Sequence, residues 1–252
     1  MSALLSLRRI SLSFPRGRRH LVPVLSDVSL QIARGEVLAV LAQRAQGKTS
    51  LLRVAAGMQR PNRGEVLFDG ESLWHMSDRR RARLLRERIA LVEAGAPALD
   101  VPVLTGVALP LLATHGRRAA YGRAQDALAQ VGAGDCAEQR WSELADWERA
   151  LVALAHGVVR EPELLLVDDL TVTLGLGESD EIARMLEQLA AERGLGVLIC
   201  ANDAGAVAGA QRVASLRGGE LLLAPRERPE PAPTTGATVL DFPGERPQQA
   251  SS

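Results

Sequence analysis

Gly47-Lys48-Thr49 holds the only lysine of a 252-residue chain whose other 29 basic side chains are arginine. Arginine serves wherever a surface cation suffices. A lone lysine after an apolar run and a glycine therefore points to a specific chemical demand. An ammonium is a compact point charge on a flexible stem, suited to reaching between phosphates. Gly-Lys-Thr is also the ending of a phosphate-binding loop, whose backbone amides and lysine cradle the anion. Codon drift toward arginine could leave one lysine by chance, but it would rarely leave it between a strand and the start of a helix.

The surrounding pattern supplies the elements that such a loop needs. Residues 36–41 form a short apolar run, as a buried strand does. Residues 49–56 have helical character and end at Gly57. Upstream, residues 4–14 and 22–32 alternate as antiparallel strands should, and residues 63–70 read as turn, strand, turn. Residues 77–159 are rich in Ala, Leu, Arg and Glu and read as largely helical, interrupted by a loop at 93–102. Residues 163–168 and 196–200 read as strands with a helix over 179–193 between them, a parallel crossover unit. After Ala224 the composition changes: Pro225, Pro229, Pro231, Pro233, Pro243 and Pro247 punctuate a polar stretch, so residues 225–252 read as a disordered tail. Within it, Val239-Leu240-Asp241-Phe242 is either a docking motif or, more simply, solvated tail.

Bulk properties narrow the function classes. The length suffices for a full α/β core. Net charge is zero and the pI near 6.9, which argues against a general nucleic-acid binder. The basic run Asp78-Arg79-Arg80-Arg81-Ala82-Arg83 reads as a solvated helix face. Cys136 and Cys200 lie far apart and form no metal spacing, as in a reducing cytosol. His20, His75, His115 and His156 show no ligand spacing. Residues 1–8 have no cleavage signal, and nothing approaches the ~18 apolar residues of a membrane span. A role at a membrane would require spans from another chain.

The order of landmarks resembles the nucleotide-binding subunit of an ABC transporter, over about residues 4–223. The carriers are Arg34-Gly35-Glu36 ahead of a strand, Ala42-Gln43-Arg44-Ala45-Gln46-Gly47-Lys48-Thr49-Ser50, then Pro61-Asn62-Arg63-Gly64-Glu65-Val66, and Glu161-Pro162-Glu163 leading to Asp168-Asp169. Val107-Ala108-Leu109-Pro110-Leu111-Leu112 resembles the lipoprotein-release and macrolide-exporter branch. The resemblance implies an α/β P-loop NTPase fold of the ABC ATPase type, with an antiparallel β subdomain and an α-helical subdomain. It implies a nucleotide-binding domain at 1–224, with the helical subdomain at about 77–159. It also implies ATP and Mg²⁺ as cofactors, Lys48 on the β/γ-phosphates, and Thr49 and Asp168 on the metal. Phe14 takes the position of an aromatic that stacks on adenine, although plain strand packing would also place it there. The implied partners are a separately encoded integral-membrane permease and a second ATP-binding subunit, the same or a paralogue, with no nucleic acid. The implied location is the cytoplasmic face of the plasma membrane.

The departures from the family pattern are as informative. Ala42 and Ala45 stand for two loop glycines, where positive φ and close backbone approach favour glycine. Asp169 stands for the catalytic glutamate, one methylene shorter. Ala94 stands for the glutamine that bridges metal and membrane partner, with Glu93 one residue away. Asn202 stands for the switch histidine and Gly175 for an aspartate. The signature sequence becomes Leu144-Ala145-Asp146-Trp147-Glu148. Asp146 would set a negative charge near a polyanion, and Trp147 reads as a core or interface anchor. The expectation is an ATP-binding subunit with weak or absent hydrolysis. The alternatives are an active transport ATPase with tolerated substitutions and a scaffold that binds no nucleotide.

Overall fold

The computed structural model describes residues 3–16, 20–95, 100–202 and 205–223. The Pro-rich stretch 225–252, with its Val239–Phe242 motif, lies outside them. Strands β1 (Leu5–Arg16) and β2 (His20–Ile32) pair antiparallel, and β1 also pairs β4 (Arg63–Phe68), which pairs the two-residue β5 (Glu71–Ser72). The resulting four-stranded sheet runs β2-β1-β4-β5. A second, six-stranded sheet runs β10-β9-β3-β8-β7-β6, from β3 (Val37–Leu41), β6 (Ile89–Glu93), β7 (Leu164–Asp168), β8 (Gly196–Ala201), β9 (Arg212–Arg217) and β10 (Glu220–Leu223). Its strands are parallel except β10, which returns antiparallel on β9.

The second sheet is buried on both faces, which is why its strands read as unbroken apolar runs. Successive side chains point to opposite faces. Val37 and Ala39 of β3 therefore join the core beneath helix α6 (Leu176–Arg193), with Ile182, Leu186 and Ala190. Leu38 and Val40 join a second core between the two sheets, with Leu51, Leu52 and Val54 of helix α1 (Lys48–Ala55). α6 stops at Gly194, whose φ of 65° is the left-handed cap that glycine adopts without steric cost.

Helix α2 (Asp78–Glu87) is capped by Ser77, whose hydroxyl accepts from the Arg80 amide at 3.4 Å. Helices α3 (Val103–Leu112), α4 (Arg117–Gln130) and α5 (Asp146–Val158) follow. The stretch 77–159 that reads as helical also contains β6, which pairs β7 at the edge of the chain's main sheet. Five residues of Ile-Ala-Leu-Val-Glu are too short for their periodicity to distinguish a buried strand from helix. β9 and β10 were likewise not visible in the sequence. No helix among the described residues is long and apolar enough to cross a membrane.

Candidate functional site

The loop between β3 and α1 lies at the carboxyl ends of the parallel strands. β3 delivers it in register with β8, and the Ala42 amide donates to the Ala201 carbonyl at 3.0 Å. Gly47 closes the loop with φ 97°. A Cβ there would lie 2.9 Å from the Val24 carbonyl oxygen and 3.1 Å from Val24 Cγ1, so β2 packs too closely for any side chain. Helix α1 starts at the next residue and leaves its first amides free of intrahelical partners, as an anion site requires. Ala45 has φ 62°. An alanine in that left-handed state costs about 1–2 kcal/mol. Ala42 corrects the expectation drawn from its glycine counterpart: its φ is not positive, and its methyl is buried. Gln43 and Arg44 are exposed on the loop, and Ser50 is half-buried in the first turn of α1. The Gln46 side-chain oxygen accepts from the Gly218 amide at 2.8 Å, tying the loop to the β9–β10 turn. A cavity of about 590 Å³ lies there, lined by Gln43, Gln46, Asn202, Ser215 and Arg217 among others.

Lys48 is 5% exposed, and its ammonium lies among three acceptors. The Ala42 carbonyl is at 3.0 Å and the Asp169 Oδ2 at 2.8 Å, and Asn202 Oδ1 is also hydrogen-bonded. These partners come from the ends of β3, β7 and β8, so the parallel sheet brings together residues 154 positions apart. Thr49 donates its hydroxyl to Asp168 Oδ2 at 2.6 Å. Burial pushes the Asp168 carboxyl above its ordinary range. The Thr49 hydroxyl pulls it back, while the charges of Asp169 and Glu93 push it further up.

Asp168 Oδ1 and Asp169 Oδ1 are buried and accept no hydrogen bond from the protein. A buried anionic oxygen without a partner is costly, and a hard cation would relieve it. Mg²⁺ suits such a site because it takes oxygen ligands, needs only one or two carboxylates and keeps its waters. The donors here, a threonine hydroxyl and one or two carboxylates, fit that ion. They do not fit a soft metal, and the described residues contain no cluster of three or more His, Cys, Asp or Glu side chains arranged for one.

The remaining sequence-derived positions fall around this centre. Phe14 pairs Val22 in the β1–β2 ladder, two residues along β2 from the Val24 that abuts Gly47, and its ring is 41% exposed. Ala94 is exposed just beyond β6. Glu93 pairs Asp168 in register and carries an ion pair to Arg53 at 3.6 Å. Gly175 caps α6, its amide donating to Glu178 at 2.9 Å. Ala145 caps α5 in the same way, its amide donating to Glu148 at 2.8 Å, and Asp146 pairs Arg149 at 3.0 Å within that helix. Trp147 is half-buried and packs on the core that holds α4 and α5, as an anchoring side chain does. Sequence reasoning missed Gly218, which braces the loop from the β9–β10 turn, and Gln211, which holds the far end of β3. Gly218 holds the loop through Gln46, and the Gln211 side chain accepts from the Val37 amide. A glycine pair at 218–219 was the available signal for the turn.

The family described as ABC transporter is matched over residues 25–172. The lipoprotein-releasing system ATP-binding protein LolD of Cereibacter sphaeroides is 32% identical over 224 residues, covering 88% of this chain and 100% of that protein. The LolD of Anaplasma marginale is 34% identical over 207 residues, covering 81% and 92%. Among solved structures, the dimeric post-hydrolysis state of the ATP-binding cassette MJ0796 bound to ADP and Pi superposes with a TM-score of 0.78 at 22% identity, over 86% of this chain and 96% of that one. cbiO1 of Clostridium perfringens, part of the ABC transporter complex cbiONQ, gives 0.77 at 23% identity, over 88% of each. These two show the same fold. The family match extends over more than half of the sequence, and the LolD relatives are covered almost end to end. The chain therefore belongs to the ABC transporter family, as an ATP-binding domain of that family.

Proposed function

We propose that this chain is the nucleotide-binding subunit of a lipoprotein-release-type ABC complex, and that it binds Mg-ATP through Lys48, Thr49 and Asp168 with weak or absent hydrolysis. One observation carries the reading. Lys48 and Thr49 stand at a strand-to-helix junction with Thr49 bonded to Asp168, whereas Asp169 and Asn202, at the positions that would handle the attacking water, both engage Lys48 instead. A general base must lie within hydrogen-bond reach of the water it activates. Asp169 is one methylene shorter than glutamate, and its Oδ2 is already paired with an ammonium.

In this reading the amides of residues 43–50 and the N-terminus of α1 take the phosphates, and Lys48 neutralises them. Mg²⁺, held by Thr49 and Asp168, would screen the charge that phosphates bring to Asp168. Phe14 offers an exposed ring for the base. The chain acts on the cytoplasmic side of the membrane with a separately encoded permease and a second ATP-binding subunit, the same or a paralogue. Support for pairing comes from the dimeric MJ0796 cassette and from cbiO1 as part of cbiONQ. A division into a binding domain at 1–224, with its helical part at about 77–159, completes the proposal.

The carboxylate kept at Asp169 favours a second reading, an active transport ATPase with tolerated substitutions. Phosphate release by the purified chain, alone and with its permease, decides between them. Turnover at or above ~1 per second, the ordinary enzyme range, would refute the weak-hydrolysis reading. Loss of ATP binding in Lys48→Ala would exclude a scaffold without a nucleotide site.

A further inference from the structure

We propose that Asn202 and Asp169 act as a clamp on Lys48 that a nucleotide's phosphate must displace, so that Asn202 opposes nucleotide binding. The inference rests on the nucleotide-binding reading above. An ammonium has three N–H donors and no acceptor capacity. Here three acceptors surround it: the Ala42 carbonyl at 3.0 Å, Asp169 Oδ2 at 2.8 Å and Asn202 Oδ1. Two donors of Lys48 are therefore taken by hydrogen bonds to the chain itself and its charge is paired with Asp169, in a place where the side chain is 5% exposed. A phosphate oxygen gains a bond to Lys48 only by removing one of these.

The three contacts differ in how easily they yield. Ala42 is fixed by its own backbone bond to Ala201 at 3.0 Å. Asp169 is anchored through its amide to the Cys200 carbonyl at 2.9 Å, with φ 47°. Asn202 lies just past the end of β8 and is neutral, so phosphate, which is charged, displaces it most readily. Release of Asp169 frees the one carboxylate at the base position. Asn202 is thus a positioning residue acting through Lys48.

The sign of a mutational effect separates this role from that of a ligand. Titration calorimetry of the full chain with Mg-ATP and Mg-ADP would compare wild type, Asn202→Ala and the near-isosteric Asp169→Asn. Thermal unfolding would confirm that each variant is folded. The clamp predicts that Asn202→Ala binds about tenfold tighter, the value of one hydrogen bond to a charged group at the lower end of its range. Asp169→Asn should tighten binding too, but relief of repulsion would also do that, so Asn202→Ala is decisive. Weaker or unchanged binding in Asn202→Ala, with wild type binding normally, overturns the clamp and leaves the nucleotide reading intact. Binding by Asn202→Ala alone supports it in its strongest form. If no variant binds either nucleotide, the nucleotide reading fails and the gate fails with it. In that case, non-additive unfolding effects of Lys48→Ala and Asn202→Ala would still show whether the contact exists in solution.

Discussion

Restoring glycine at the two loop positions where alanine stands should move stability in opposite directions. Ala45 has φ 62° and an exposed side chain. Ala45→Gly removes about 1–2 kcal/mol of left-handed strain. The glycine adds about 0.4–1 kcal/mol of unfolded-state entropy in return, so the net gain is on the order of 0.5–1 kcal/mol. Ala42 has no positive φ, and its methyl is 6% exposed against the core between the two sheets. Ala42→Gly relieves nothing, adds the same entropy, and uncovers a buried methyl worth about 0.8 kcal/mol. It should cost roughly 1–2 kcal/mol by these terms. Urea unfolding of both variants beside wild type reads the difference directly, as a midpoint shift at unchanged slope. For a chain of this size 1 kcal/mol corresponds to about 2–4 °C in Tm, so the two variants should bracket wild type by several degrees. Equal destabilisation by both would refute the backbone assignment at Ala45, and stabilisation by both would refute it at Ala42.

Glu163 accepts from Arg88 and Arg34, and these hydrogen bonds hold its carboxyl below the ordinary 4.5. A lowered carboxyl contributes stability that is present above pH 4.5 and is lost as pH falls through the folded value. Glu163→Gln should therefore lower the unfolding free energy at neutral pH by about 1 kcal/mol, given partial exposure, with the gap closing in acid; a gap that widened below pH 4 would contradict this. A Cβ on Gly157 would lie 2.4 Å from Val92 Cγ2 and 3.2 Å from Leu165 Cδ1. Gly157→Ala should cost about 1–3 kcal/mol by overpacking α5 on β6, and a neutral result in thermal unfolding would show that the two elements separate freely. Trp147→Ala should destabilise by about 2 kcal/mol through lost packing while leaving Mg-ATP affinity of the isolated chain unchanged. An affinity change in calorimetry without a stability change would make Trp147 a nucleotide contact instead of an anchor.

The strands flanking Lys48 were legible because burial leaves a plain mark. The run at 36–41 and the alternation at 4–14 and 22–32 became β3, β1 and β2, and the helix read at 49–56 became α1. β6 stayed hidden because four apolar residues and a glutamate within a helix-rich stretch have no period of their own. β9 and β10 stayed hidden because Arg212–Arg217 and Glu220–Leu223 form a hairpin that matters only once β3 lies beside it. The site was half legible in the same sense. Loop, lysine and paired aspartates were visible as residues at their spacings. That Asn202 hydrogen-bonds Lys48, and that Glu93 stands opposite Asp168, depend on strand order, which no local pattern encodes. The two alanines looked equivalent in sequence, and only the backbone separates them.

The fate of bound nucleotide separates a chain that holds Mg-ATP from one that spends it. Wild-type chain and Lys48→Ala, each with radiolabelled Mg-ATP, can be filtered after minutes and the retained nucleotide identified. Retention by wild type alone, with the label recovered as ATP, is the expected result. Label recovered as ADP from wild type, at a rate near ~1 per second, or equal retention by Lys48→Ala, would contradict it.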